Sequence, residues 1–208
     1  GRGLVTTPDD FGTRSSPPAH PALLDWLARE FVRGGWSLKS MHRLIMRSST
    51  YQRSSDFQDE GNHGKDPTNS YLWRMNRRRL EAEAVWDNIH SVAGTLNTKM
   101  WGRPVLPPIS QTEMSPLRRK WSWTVNANSK DHTRRAIYIL RRRNFNFPMF
   151  EKFDTPNSAV ACERRDVTTV APQSLWLLNN EMSFQQALHF AGRLVKDHGD
   201  EAQAWVDN

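Results

Sequence analysis

The chain has 208 residues, enough for one domain or two small ones, and a net charge of +7. That charge favours a polyanionic partner, namely nucleic acid, a sulfated or uronic polysaccharide, or an anionic membrane. Because Cys162 is the single cysteine, an internal disulfide, a cysteine-based metal site and a haem attachment pair are all excluded. No apolar run approaches the ~18 residues that cross a bilayer. Nine Trp and nine Phe predict a core rich in aromatic side chains.

The first third of the chain is predicted to contain a helical hairpin. Residues 1–20 are rich in Gly, Pro and Ser, which indicates an ordered loop. A helix is expected over residues 21–33, with proline at its first position, and Ser37 is placed to cap a second one. Helices joined by so short a link favour an antiparallel hairpin. Residues 52–68 have few apolar side chains and predict a surface loop.

The stretch from Arg77 to Gly94 predicts the helix around which the rest of the chain is organised. At about 100° per residue its apolar side chains fall on one arc. Its polar side chains fall on the opposite arc, and Gly94 is a plausible stop. The apolar set is Ala82, Val85, Trp86, Ile89, Val92, Ala93 and Leu96, and the polar set is Glu83, Asp87 and His90.

The second half predicts one short strand and two helices. Residues 136–140 form an apolar, β-leaning run that residues 121–125 could pair with, although a helix stays possible over so few positions. A helix is expected after Thr168 or Thr169 and a last one from about Glu181. We therefore expect a mainly α fold with a small β element (α+β), in which a helical hairpin and a central amphipathic helix pack with C-terminal helices. Residues 1–208 are expected to form a single domain.

Two sets of side chains could carry chemistry. Glu83, Asp87 and His90 share one face of the central helix and could form a metal site or an acid/base pair. The more common arrangement is a polar face whose acids pair with arginines, and we favour it. Asp10 and His20 lie beside a Gly/Pro-rich segment and could also bind a metal. A histidine before a helix-starting proline more often bonds a loop carbonyl, so we predict no metal.

Arginine dominates the basic residues, since only seven of the 29 are lysine. A guanidinium can hold a carboxylate in a fixed bidentate pair, so internal pairing competes with binding of an external polyanion. We expect internal pairing to prevail. The structural ion-pair candidates are Glu81, Arg141, Arg143, Glu163, Arg164 and Arg165. The polyanion-binding candidates, in basic runs beside aromatic residues, are Arg77, Arg78, Arg118, Arg119, Lys120 and Trp121. Nucleic acid is disfavoured because the chain has no helix-turn-helix or zinc signature.

Several short strings together resemble a known family. They are GRGLV (1–5), DFG (10–12), HP with LLDWLA (20–28), RRLEAE (78–83), FD with a following P (153–156), ERR (163–165), TT (168–169) and PQ (172–173). The set resembles the planctomycete-type domain of unknown function at the C-terminal end of large exported proteins. Those proteins commonly also carry a cytochrome-c-like segment and a second uncharacterised domain. Ser15 and Trp86 depart from the family pattern, which usually has glycine and arginine there.

The resemblance implies a setting but no activity. It implies a fragment of a longer exported protein at the periplasm or cell surface, with haem only in another part of that protein. We therefore expect a non-catalytic binding or scaffolding module without a cofactor. Its expected partners are the other domains of the same full-length chain or an anionic polysaccharide. The alternative is a carbohydrate-active hydrolase or lyase that uses the carboxylate and histidine candidates.

Overall fold

The computed structural model describes residues 3–10, 12–13, 15–114, 123–143 and 145–199. Within them, helices dominate and the β structure consists of isolated bridges. The chain is mainly α with a small β element, which confirms the predicted fold class. The chain divides into two compact units, residues 1–78 and residues 79–208, and the single domain expected over residues 1–208 stays a prediction.

The first unit contains the predicted pair of helices. Helix α1 spans Pro21–Arg33 and helix α2 spans Leu38–Met46, and the two pack against each other. The Oγ of Ser37 accepts a hydrogen bond from the backbone N of Ser40, which caps α2. Gly35 has a φ of 70° in the link, a value that glycine adopts without a steric penalty. Trp36, the next residue, also has a positive φ of 61°, so glycine relieves the strain at only one of the two left-handed positions of the link.

Residues 52–68 are more ordered than the predicted surface loop. Helix α3 occupies Glu60–Lys65, and the Asp59 carboxylate accepts a hydrogen bond from the backbone N of Asn62 at its start. Directly after α3, the buried Asp66 carboxylate accepts bonds from the backbone N of Ser70 and of Tyr71. The remaining side chains are mostly exposed. Few apolar residues are needed here because capping and a carboxylate-centred turn hold the backbone.

The second unit is organised around the predicted central helix. Helix α4 spans Ala82–Val92, and Gly94 follows with a φ of 75°. Trp86 is buried at the centre of the unit, and its Nε1 donates a hydrogen bond to the backbone O of Arg134 at 3.0 Å. The buried face of α4 is rotated from the one we predicted: Ala82, Trp86, His90 and Ala93 are buried, whereas Val92 is 41% exposed.

Aromatic side chains build the core of this unit, as the composition predicted. The Phe147 ring lies 5.4 Å from the Trp86 ring and 5.3 Å from the Phe150 ring, both with edge-to-face geometry. Trp123 closes the cluster, and its Nε1 donates to the backbone O of Pro107. The unit also contains two short helices, α5 at Gln111–Met114 and α6 at Pro148–Lys152, and α6 carries Phe150 with Phe147 directly before it.

The strand predicted over residues 136–140 is wrong in most of its length. Ala136–Tyr138 is a 3-10 helix, as is Ser129–Asp131, and only an isolated parallel bridge joins Ile139 to Val105. The backbone of Val105 donates to Tyr138 and accepts from Leu140. A run of five apolar residues is too short for periodicity to separate a strand from a buried turn. Of the partner segment at 121–125, residues 121 and 122 lie outside the described residues.

Two further helices complete the unit. Helix α7 spans Ala171–Asn179 and helix α8 spans Glu181–His198, and α8 packs against both α7 and α4. Asn180 links them, and its side-chain oxygen accepts a bond from the backbone N of Met182. Both helices were predicted. Across the part of the chain that the structure describes, no helix is both long and apolar enough to cross a membrane.

Candidate functional site

The two carboxylates predicted on the polar face of α4 are held by hydrogen bonds to other segments. Arg165 forms a bidentate pair with Glu83, with N–O distances of 2.7 and 3.1 Å, and also binds Glu81 at 2.9 Å. Burial acts to raise the pKa of Glu83, but the hydrogen bonds and the charge of Arg165 lower it overall. Asp87 accepts from Arg135 Nε at 3.0 Å and from the backbone N of Ala136 at 2.7 Å. Both acids tie α4 to distant parts of the second unit.

His90 lies in the core rather than on the predicted polar face. It is 1% exposed, and its ring centroid is 4.4 Å from that of Trp86. Its Nδ1 lies 3.1 Å from the Thr95 hydroxyl, which in turn donates to Gln186 Oε1. Since that hydroxyl has one proton, the Nδ1 of His90 must be the donor in this arrangement. Burial lowers the pKa of His90 to about 4, so the ring is neutral with its lone pair on Nε2.

Asp10 and His20 also have local partners. The Asp10 carboxylate accepts a bond from the backbone N of Gly12, and His20 Nε2 lies 2.7 Å from the backbone O of Ser70. His20 therefore bonds a loop carbonyl, which is the arrangement that we expected to be more common. Within each unit, no catalytic candidate forms a hydrogen bond or an ion pair with another, and the described residues contain no group of three or more His, Cys, Asp or Glu that could hold a metal.

Only some of the ion-pair candidates form ion pairs with described residues. Glu81 pairs with Arg165, whereas Arg141 donates to the backbone O of Pro156 and acts on Glu83 only through its charge. Arg143 and Arg164 form no ion pair with any described residue, and Glu163 is exposed.

Sequence reasoning missed the most enclosed ion pair of the second unit. Arg79 Nη2 lies 2.6 Å from Asp154 Oδ2, and the two side chains are 16% and 18% exposed. Asp154 also accepts from the backbone N and the hydroxyl of Thr168. Burial acts to raise the pKa of Asp154, but these bonds and the Arg79 charge lower it overall. No spacing rule connects positions so far apart in the chain.

Of the polyanion-binding candidates, the structure describes only Arg77 and Arg78. Arg77 forms an ion pair with Asp56, and both side chains are about three-quarters exposed. Arg78 is exposed and has no partner among the described residues. The remaining candidates, Arg118, Arg119, Lys120 and Trp121, lie outside the described residues.

A large groove lies in the first unit. It encloses about 560 Å³, and we name it the Arg74 groove. Apolar side chains of α1 and α2 line it together with His20 and the rings of Trp26, Tyr51 and Tyr71. Arg74 is its single charged residue among those that the structure describes. The guanidinium carbon lies 4.8 Å from the centroid of the buried Trp73 ring, and its N–H groups have no hydrogen-bond partner in the described chain.

A smaller cavity of about 280 Å³ lies in the second unit, and we name it the Glu113 cavity. Its lining combines aromatic and aliphatic side chains with Glu113, Glu181, His90 and His132, and contains no described Lys or Arg. One Glu113 oxygen accepts from Trp176 Nε1 at 2.8 Å and from the Asn180 amide. The sequence gives no signal for Glu113, which is a single acid between proline-containing segments.

These two sites belong to a mainly helical chain whose obvious catalytic candidates are held in structural bonds. A family model described as PSD1, a protein of unknown function (DUF1553), matches residues 1–207. The chain therefore belongs to this family. None of the curated proteins compared with the chain matches it, and neither does any of the solved structures.

Proposed function

We propose that this protein is a non-catalytic binding module of an exported multidomain protein and that the Arg74 groove binds an anionic polysaccharide. The observation that carries the proposal is the pairing of an uncommitted guanidinium with aromatic rings in one open groove. Ligand sites in proteins are concave and largely apolar, with a few polar groups that set specificity. The Arg74 groove has this composition.

The charge of the groove selects the class of ligand. A guanidinium presents five N–H donors in a planar fork that matches a carboxylate or a sulfate. Arg74 is held over Trp73, and no carboxylate of a described residue lines the groove to compete for it. A sulfated or uronic sugar would supply the missing anion.

The aromatic rings suit the remainder of a sugar. Tyr71 is 79% exposed and Trp26 is 45% exposed, so their faces are accessible to a ligand. Rings of this kind combine a large apolar surface with a polar tip and few rotatable bonds. The neighbouring Thr50 hydroxyl adds a donor and an acceptor for sugar hydroxyl groups, whereas the Ser48 hydroxyl already donates to the backbone O of Ile45.

A hydrolase or lyase is less well supported. Glu83 and Asp87 are both engaged with arginines, and neither lines the Arg74 groove or the Glu113 cavity. A general base must lie within hydrogen-bond reach of the proton that it removes. We therefore expect incubation with uronic or sulfated polysaccharides to release neither new reducing ends nor unsaturated uronates. Cleavage that disappears in Glu83→Gln would contradict this.

The direct test is the affinity for heparin, compared with neutral dextran, in low-salt buffer. Arg74→Gln removes the charge but keeps much of the side-chain volume, and we expect it to weaken heparin binding by about tenfold. Arg29→Gln is the matched control, because Arg29 is exposed on α1, has no described partner and does not line the groove. Equal affinity of Arg74→Gln and the wild type, or equal losses in the two variants, would overturn the proposal.

A further inference from the structure

We infer that the Glu113 cavity is a binding site for a small organic ammonium ion, with the hydrocarbon part among its aromatic side chains and the charge at the Glu113 carboxylate. This site is separate from the proposed polysaccharide function and lies wholly within the second unit.

The charge of the lining is opposite to that of the protein. The chain has 29 basic and 22 acidic residues, yet the described lining contains two acids, Glu113 and Glu181, and no Lys or Arg. A cavity with one sign of charge and apolar walls concentrates ligands of the other sign. The lining therefore selects against carboxylates and phosphates and in favour of cations.

Among the described residues, Glu113 is an acceptor without a neutralising partner. Its two oxygens accept from Trp176 Nε1 at 2.8 Å, from Asn180 Nδ2 at 3.2 Å and from the Ser110 hydroxyl at 2.9 Å. All three donors are neutral, and Glu113 forms no ion pair with a described residue. The carboxylate is thus fixed in orientation by hydrogen bonds, which leaves its charge for a ligand.

The apolar part of the lining suits the body of such a ligand. The rings of Trp86, Phe147 and Trp176 contribute to the walls together with the fully buried Met149. Aromatic faces attract organic cations through their quadrupoles, which is the basis of amine recognition by aromatic cages. A volume of about 280 Å³ limits the guest to one ring or a short alkyl chain.

His90 adds no positive charge to the cavity. It lines the cavity, and its Nε2 is enclosed and has no hydrogen-bond partner in the described chain. An enclosed polar atom without a partner is rare in folded proteins. Since burial keeps the pKa of His90 at about 4, the ring does not repel a cation at neutral pH.

The test compares three probes of similar shape by isothermal titration calorimetry of the whole chain at pH 7. They are benzylammonium, benzyl alcohol and benzoate. In Arg74→Gln, which lacks the carboxylate-binding guanidinium of the Arg74 groove, we expect saturable binding of benzylammonium, about tenfold weaker binding of benzyl alcohol and no binding of benzoate. The wild type should bind benzylammonium with the same affinity, and any benzoate that it binds belongs to the Arg74 groove, so the two proposals are tested separately. Absence of benzylammonium binding, or equal binding of the neutral probe, would overturn the inference.

Two variants test whether Glu113 causes the preference for benzylammonium over benzyl alcohol. Glu113→Gln can keep the bond from Trp176 at its amide oxygen and donate from its amide nitrogen to the Ser110 hydroxyl, while it removes the charge. It should bring benzylammonium down to the affinity of benzyl alcohol. Glu151→Gln is the control, because Glu151 is exposed on α6 and does not line the cavity. Circular dichroism verifies that both variants fold. If folded Glu113→Gln retains the ammonium preference, the assignment is wrong.

Discussion

His90 and Glu83 lie two turns apart on α4, but their environments differ completely. Glu83 is half-buried and bound to Arg165, whereas His90 is enclosed beside Trp86 and linked through Thr95 to Gln186. The sequence placed both on the polar arc because each is a polar residue at helical spacing. The buried side of α4 is the one that carries Ala82 and Trp86, and His90, at the edge of the predicted polar arc next to Trp86, is buried with them. Periodicity locates the centre of a helical face better than its margins.

The burial of His90 predicts a pH-dependent stability. Its pKa is about 4 in the folded chain against an ordinary value of 6.5, so the unfolded chain binds the proton more strongly. The contribution of the neutral His90 ring to the free energy of unfolding is complete above pH 6.5. It is lost as the pH falls towards 4, and the total loss is about 3 kcal/mol. Urea denaturation at intervals across this range measures it.

The control separates His90 from the other titrating groups. His90→Gln should flatten the decline between pH 6.5 and 4.5, whatever its effect on stability at neutral pH. His63→Gln, at an exposed histidine in α3, should leave the slope as in the wild type. A slope that is unchanged in His90→Gln would show that another group causes the decline.

At the scale of elements, ion pairs connect helices to irregular segments. The Arg79–Asp154 pair joins the approach to α4 with the end of α6, and Thr168 attaches the approach to α7 to the same carboxylate. The Glu83–Arg165 pair makes a second connection nearby. These acids and arginines therefore stabilise the arrangement of the segments.

Removing the charge of Asp154 should lower the free energy of unfolding much more than removing the charge of the exposed Asp56. Asp154→Asn leaves the Arg79 guanidinium, which is 16% exposed, without its counter-ion, and we expect a loss of about 2 kcal/mol in the free energy of unfolding. Asp56→Asn breaks the pair with Arg77 at the surface and should cost less than about 0.5 kcal/mol. Thermal denaturation of both variants decides this, and equal losses would contradict it.

At the scale of the molecule, hydrophobic burial is unequal between the two units. The main cluster of buried apolar side chains belongs entirely to residues 79–208, where Trp86, Phe147 and Phe150 are at most 6% exposed. In residues 1–78, α1 and α2 contain no buried residue, and Trp73 is the buried hydrophobic residue of the described part. Burial of apolar area is the main source of folding free energy. The second unit therefore buries more apolar side chains than the first, and we expect it to be the more stable of the two when expressed alone.

Separate expression of the two units tests this difference. We expect a fragment of residues 79–208 to unfold cooperatively and to keep the near-ultraviolet circular dichroism of its buried tryptophans. A fragment of residues 1–78 should unfold over a broad range or at a lower temperature. A cooperative first fragment beside an unfolded second one would contradict the inference from burial.

The sequence by itself determined the helices, because capping residues, prolines and apolar periodicity act locally: α1, α2, α7 and α8 all begin close to where we predicted. It also determined the aromatic character of the core. Only the tertiary structure decided the sites. The Arg74 groove and the Glu113 cavity bring together side chains from separate segments, and whether a charged group is paired or free depends on neighbours that no spacing reveals. The physical reason is that capping and periodicity act over a few residues, whereas hydrogen bonds, charges and burial act through space.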